Sequence, residues 1–505
     1  MRVRFVSLML PAVGLGIALV APLAAQEEPA AAMERENLSV TNHSAQIGGA
    51  QVNYTATTGT LLLEDEDGTP KADAFFVAYT RTDAGAPANR PITFSYNGGP
   101  GSASIWLHMG TMGPRRVQMA SEGFQPRPPY QLVDNEFSLL DVTDIVMIDP
   151  VMTGYSRPVE GEDKSQFHGV DEDLRWVGEF IRRYVTRFDR WTSPKFLLGE
   201  SYGTFRSAGL APLLQSRGIE LNGIVLVSSV LDFTTIRYNE GNDLPFPMFL
   251  PTYAATAWYH QRLEPGLQAD MQATLQEARD FAIGEYATAL VKGNMLSMDE
   301  RRAVAEKAAR LTGVSAEFYM QANLRVDPSR YRKELLRDQR LVTGRLDSRY
   351  TAMDLDAAGE SQEFDPSNNA LAGPYVALFT DYVRNELGYK TDMRYYQSGP
   401  VRPWSYESFT GRYATQVDAL RGAMARNPYL RVHITNGYYD MATPFFGTEY
   451  TVNHLGWEDD YSDRITMSYY EGGHMMYIIE QQLARFKSEV AAFMLESLPA
   501  RPGTD

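Results

Sequence analysis

The chain has 505 residues, 44% apolar and 22% charged, the composition of a soluble globular protein with a sizeable core. Its formal net charge of −16 repels nucleic acid and anionic membranes, and no basic patch offsets it. Cysteine is absent, which excludes thiol catalysis, thiolate metal sites and disulfides, so stability rests on packing alone.

At the N-terminus Arg2 and Arg4 precede an apolar stretch over residues 5–20, and the small residues Ala21, Ala24 and Ala25 follow. This pattern predicts a secretory signal peptide over 1–25 rather than a retained anchor, because the apolar run is short for a spanning helix. Export to a periplasm or to the exterior is the expected localisation. Residues 26–37, rich in Ala, Glu and Pro, are expected to be a disordered leader. From Leu38 short alternating runs at 45–54, 58–64, 74–80 and 91–96, with turn signals at Gly48-Gly49 and Asp67-Gly68, predict antiparallel strands and hairpins. Residues 142–148, 195–198 and 221–228 read as buried strands and 170–188 as a helix, a pattern that predicts a parallel sheet covered by helices. Between about 235 and 425 the texture is helical, at 266–291, 297–311, 315–324 and 374–387, with a polar loop over 344–369. Strands resume at 430–435 and 464–470, and an amphipathic helix over 475–495 closes the chain. The expected organisation is an α/β core, 38–234 and 426–499, interrupted by a mainly helical cap insertion at 235–425.

The pattern Gly199-Glu200-Ser201-Tyr202-Gly203 directly follows the strand at 195–198. A strand that turns sharply into a helix at Gly-x-Ser-x-Gly exposes its serine as a nucleophile, and the order Ser, acid, His is then expected along the chain. Of seven histidines only His454 and His474 lie far enough downstream. His474, in Glu471-Gly472-Gly473-His474, sits between the last strand and the last helix and is the preferred base; His454 lies in a stretch that reads as helix. Asp440, at the end of Asn436-Gly437-Tyr438-Tyr439-Asp440, is the preferred acid, while Asp459, Asp460 and Asp463 form a competing cluster that reads as a solvated loop. An oxyanion formed at Ser201 needs two donors. The Tyr202 amide supplies one, and the loop Asn97-Gly98-Gly99, placed after a buried strand, supplies the other.

With these motifs, and with Asn97-Gly98-Gly99-Pro100-Gly101-Ser102, Asp149-Pro150-Val151-Met152-Thr153-Gly154-Tyr155-Ser156 and Gly472-Gly473-His474-Met475, most of the chain resembles the serine carboxypeptidase family of α/β-hydrolases, as a bacterial exported member. The resemblance implies an α/β-hydrolase fold with an inserted helical cap, a triad of Ser201, Asp440 and His474, and oxyanion donors from Gly99 and Tyr202. It further implies that Asn97, Gly98 and Glu200 hold the substrate's C-terminal carboxylate. The chain departs from the family at Thr111, which stands where a second Glu normally shares a proton with the first, and at Tyr438 and Met476-Tyr477. Glu200 is expected to work alone in its protonated form, since burial raises a carboxyl pKa, and the pH optimum is expected to be less acid than in typical relatives.

The expected function is a serine-type carboxypeptidase acting on peptides. An esterase or acyltransferase with the same triad is the second enzyme reading, and a periplasmic binding protein that has lost activity is the alternative of another class. No cofactor or metal is expected: there is no His-Glu-x-x-His, and the histidines are scattered. The oligomeric state is left open.

Overall fold

The computed structural model of the chain describes residues 37–456 and 463–499. The expected signal peptide, nearly all of the expected leader, and Asp459 and Asp460 lie outside these residues.

The strands of the main sheet are β1 (Ser39–Ile47), β2 (Ala50–Glu64), β3 (Pro70–Arg81), β4 (Ile92–Tyr96), β5 (Asp144–Ile148), β6 (Lys195–Glu200), β7 (Gly223–Val227), β8 (Arg431–Gly437) and β9 (Ile465–Tyr470). They lie in the order β1-β2-β3-β5-β4-β6-β7-β8-β9, and the short strand Arg157–Pro158 pairs with β3. β1, β2, β3 and β5 pair antiparallel, whereas every pairing from β5 through β4 to β9 is parallel. The expected run at 45–54 is the bend of the first hairpin: Gly48 and Gly49, at φ 59° and 80°, make the turn, and β2 continues through the run expected at 58–64.

The central strands are buried on both faces, so successive residues feed different cores. Ile224 and Leu226 join the cluster formed with α1 (Val170–Arg187) and α2 (Tyr202–Ser216). Val225 and Val227 join the opposite cluster, with the C-terminal helix Glu480–Glu496. α1 carries Asp171, Glu172 and Asp173 in its first turn and Arg187 in its last, charges that complement the helix dipole.

Within 235–425 a third cluster gathers side chains from the helices between Phe246 and Leu336, together with Tyr438, Tyr439, Met441, Phe445 and Phe446. Its first helix is α3 (Pro245–Tyr259). Two later helices of the same stretch pack elsewhere: α4 (Pro366–Asn385) contributes Leu371, Tyr375, Phe379 and Tyr382 to one face of the sheet, and α5 (Val417–Arg426) contributes Leu420, Ala423 and Met424 to the other. The stretch read as a polar loop at 344–369 instead contains a strand, Thr351–Met353, which pairs with Leu341–Thr343 in a hairpin, and the first residues of α4. Among the described residues no helix is long and apolar enough to cross a membrane.

Candidate active site

β6 ends at Glu200, and Ser201 follows at φ 61° and ψ −128° before α2 begins at Tyr202. A positive φ at a non-glycine residue costs on the order of 1–3 kcal/mol and persists only where neighbours enforce it. Here the Ser201 amide donates to the Val227 carbonyl at 2.9 Å, and the Ser201 carbonyl accepts from the Thr204 amide at 2.8 Å. The turn is so tight that a Cβ at Gly199 would stand 2.2 Å from the Gly203 carbonyl oxygen, which is why the position is glycine. Ser201 is half-buried, whereas Glu200 and Tyr202 on either side are buried.

The strand ends after β8 and β9 bring Asp440 and His474 together. Asp440 Oδ2 lies 2.7 Å from His474 Nδ1; Oδ1 accepts the amides of Ala442 at 2.7 Å and Thr443 at 3.1 Å. The Thr443 hydroxyl stands 2.7 Å from Oδ2, and the aspartate is fully buried. An Nδ1–H directed at a carboxylate leaves Nε2 as the basic nitrogen. Burial opposes a proton on His474, but the Asp440 carboxylate outweighs it and holds the imidazole above its ordinary 6.5. The Ser228 hydroxyl donates to the His474 carbonyl at 2.6 Å, and Ser228 follows the residue that anchors the Ser201 amide. His454 is exposed, its Nδ1 2.6 Å from the Tyr450 carbonyl and its ring stacked on Tyr450. Asp463 is exposed ahead of β9, so neither residue takes part in the pair.

The loop after β4 closes on the elbow. A Cβ at Gly98 would stand 2.4 Å from the backbone nitrogens of both Tyr202 and Gly203, so only glycine permits this approach. Gly99, at φ 102°, is exposed beside it. Tyr202 is the first residue of α2, where no preceding turn accepts its N–H. Asn97 is oriented by two contacts: its Oδ1 accepts the Leu107 amide at 3.0 Å, and its Nδ2 donates to Glu200 Oε1 at 2.9 Å. Its carbonyl accepts from Arg206 at 2.7 Å, and Arg206 in turn pairs with Asp173 of α1 at 2.7 Å, all within the buried interior.

Burial pushes Glu200 up to about 7, against the pull of the positive charge on His474 and of hydrogen bonds from Tyr477 and Asn97. The Tyr477 hydroxyl donates to Glu200 Oε2 at 2.5 Å. Sequence reasoning assigned no partner to Glu200, although the unusual Met476-Tyr477 after the histidine was the available sign. Thr111 is fully buried in the π-helical turn His108–Met112, and its hydroxyl has no hydrogen-bond partner among the described residues.

A second group missed by the sequence is the hairpin loop at 344–350. The Leu346 carbonyl accepts the His474 amide at 2.5 Å, and Asp347 Oδ2 accepts the Gly473 amide at 3.2 Å. The Arg345 carbonyl accepts the Met441 amide and the Ser348 amide donates to the Tyr439 carbonyl, each at 3.0 Å. Asp347 is itself held by a buried ion pair with Arg349 at 2.6 Å. The loop thus grips both the Asp440 loop and the His474 loop by their backbones.

The mixed sheet with this strand order, the serine elbow after β6 and the acid and histidine after β8 and β9 define an α/β-hydrolase. The family model for serine carboxypeptidases (Peptidase_S10) matches residues 50–490, and the chain belongs to that family. It is 34% identical over 154 residues to the pheromone-processing carboxypeptidase KEX1 of Saccharomyces cerevisiae, a match covering 28% of this chain and 20% of that protein. It is 25% identical over 211 residues to the serine carboxypeptidase-like 45 protein of Arabidopsis thaliana, covering 39% of this chain and 42% of the other. The matched segments therefore span less than half the length of these relatives. Among solved structures it resembles Kex1(delta)p, a prohormone-processing carboxypeptidase from Saccharomyces cerevisiae, with a TM-score of 0.55 at 16% identity over 88% of this chain and 92% of that one.

Proposed function

We propose that this chain is an exported serine-type carboxypeptidase that hydrolyses C-terminal residues from peptides through an acyl-enzyme on Ser201. The observation that carries the reading is the Asp440–His474 hydrogen bond, with the His474 carbonyl tied to Ser228, the residue after the one that anchors the Ser201 amide, and with Asn97 bonded to Glu200 next to Ser201. His474 Nε2 takes the Ser201 proton as Oγ attacks the scissile carbonyl, and Asp440 steadies the imidazolium that results. The N–H groups of Gly99 and Tyr202 receive the oxyanion. Collapse expels the C-terminal residue as an amine protonated by His474, and water then attacks the ester on Ser201. Asn97, Gly98 and a protonated Glu200 hold the substrate's terminal carboxylate. The basic, apolar and small-residue pattern of 1–25 supports export.

The test is mass spectrometry of products from peptides that differ only in a free or amidated C-terminus. Stepwise loss of C-terminal residues from the free acids alone is expected; internal cleavage, or equal cleavage of both sets, would refute the reading. A second reading, an esterase or acyltransferase with the same triad, is favoured by one observation: among the described residues no second carboxyl group hydrogen-bonds Glu200, whose partners are Asn97 and Tyr477.

The pH dependence follows from two groups of opposite requirement. His474 must be neutral to accept a proton, so activity is lost as pH falls through its value, which lies above 6.5. Glu200 must be protonated to donate to a carboxylate, so recognition of free acids is lost as pH rises through about 7. A bell-shaped kcat/KM centred near neutrality is expected for free-acid peptides, while ester substrates without a carboxylate lose only the alkaline limb. An optimum deep in the acid range would contradict this assignment.

A further inference from the structure

We infer that Tyr477 is a specificity-determining residue: its hydroxyl hydrogen-bonds Glu200 in a chain that carries Thr111 where the family pattern has a second Glu, and it governs how the site treats a C-terminal carboxylate. The inference rests on the carboxypeptidase reading above and concerns this chain's departure from it.

Both oxygens of Glu200 are held, Oε1 by Asn97 at 2.9 Å and Oε2 by Tyr477 at 2.5 Å, and all three side chains are buried. The Tyr477 ring reaches this position because the turn beneath it is glycine. A Cβ at Gly110 would stand 2.4 and 2.7 Å from two carbons of that ring and 3.1 Å from the Tyr375 hydroxyl. Trp106, one turn earlier, packs against Tyr375 with ring centroids 5.1 Å apart. The face of the turn nearest Glu200's partner is therefore Trp106 and Gly110, while the Thr111 hydroxyl is left without a partner. Gly110 and Tyr477 are a matched pair: any larger residue at 110 would displace the phenol.

A phenol is not equivalent to a second acid. The Tyr477 hydroxyl is held well above 10, first by burial and then by the Glu200 charge, so it stays neutral wherever the enzyme works. Two carboxyl groups sharing one proton titrate as a coupled pair, whereas the phenol beside Glu200 does not exchange its proton with it. The other charged or titratable groups that act on it are His474 and Asp440 from the two loops, and Tyr375 of α4 faces it as well. Behind Asn97 lies the Arg206–Asp173 pair, in which the two charges offset each other. A donated hydrogen bond favours the ionised carboxylate, so Tyr477 restrains protonation of Glu200 and narrows the pH range in which a free carboxylate is accepted.

The experiment measures kcat/KM across pH for one peptide with a free and an amidated C-terminus, in wild type, Tyr477→Phe and Glu200→Gln, and takes the ratio of the two substrates. In wild type the ratio is expected to break downward near pH 7. In Tyr477→Phe the break is expected to move up by about one pH unit, raising the ratio at pH 8 roughly fivefold. Glu200→Gln is expected to remove the break. The same upward shift is expected for the Glu200 carboxyl carbon by ¹³C NMR in the Ser201→Ala protein, which is independent of turnover. A break and a carboxyl titration that do not move in Tyr477→Phe, with wild type still preferring the free acid, overturn the inference alone. A wild type that does not distinguish the two peptides at any pH overturns the carboxypeptidase reading and the inference with it.

Discussion

Replacing Ser201 with alanine is expected to lower kcat by about 10⁶-fold, with labelling by a fluorophosphonate abolished. The size of the effect comes from the group acting as a unit. Without Oγ, the basic Nε2 that the Asp440–His474 hydrogen bond leaves free has no proton to take. His474→Ala is accordingly expected to cost nearly as much, and the double variant little more than either alone. What survives is the stabilisation offered by the proposed oxyanion donors, the Gly99 and Tyr202 amides, and by substrate binding, worth about 10³–10⁴-fold over water. Stopped-flow or endpoint assays with an ester substrate read the loss, and an Ser201→Ala protein with near wild-type turnover would defeat the assignment of the nucleophile.

Asp173→Ala is expected to have the largest effect on stability, on the order of 3–5 kcal/mol, read as a lowered urea midpoint. Arg206 is only 1% exposed, and its sole anionic partner among the described residues is Asp173 at 2.7 Å. Removing the carboxylate leaves a guanidinium in the interior with two aromatic faces, Tyr96 and Tyr202, and the Asn97 carbonyl for company. Those contacts are worth less than the lost ion pair. Replacing both residues with apolar side chains of similar volume is expected to recover most of the loss, because the desolvation cost of both charges disappears together. A change under about 1 kcal/mol in the single variant would place the pair with ordinary surface ion pairs. The consequence extends to function, since Arg206 holds the backbone of Asn97 and hence the residue that orients Glu200.

The parts of the molecule legible in the sequence are those set by local rules. The buried runs that became β5, β6 and β7 announce themselves by unbroken apolar residues, and the tight turn at Ser201 by the glycines that its backbone requires. Asp440 and His474 were singled out by chain order together with their places directly after the last two strands, and they are the pair that the fold brings within 2.7 Å. Tertiary partners were not legible. Helical periodicity at 374–387 shows that α4 has an apolar face, but not that this face covers the sheet rather than the helices at 246–336. The polar composition of 344–369 is the same whether its groups bond to water or, as at Leu346 and Asp347, to the backbone of His474 and Gly473. Tyr477 was visible only as an oddity, because the contact that gives it meaning spans 277 residues.

The grip of the 344–350 loop on the two catalytic strand ends sets the order in which the molecule fails. A two-stranded hairpin is among the least stable elements of a fold, and it opens at a lower free energy than a ten-stranded sheet. Under mild denaturant, turnover should fade while the far-ultraviolet signal of the sheet and its helices is still intact, and a proteolytic nick in the segment between Asp354 and Asp365 should silence an enzyme that remains folded. Durability of this catalyst is therefore a property of one hairpin of three-residue strands, and efforts to harden it belong there rather than in the sheet.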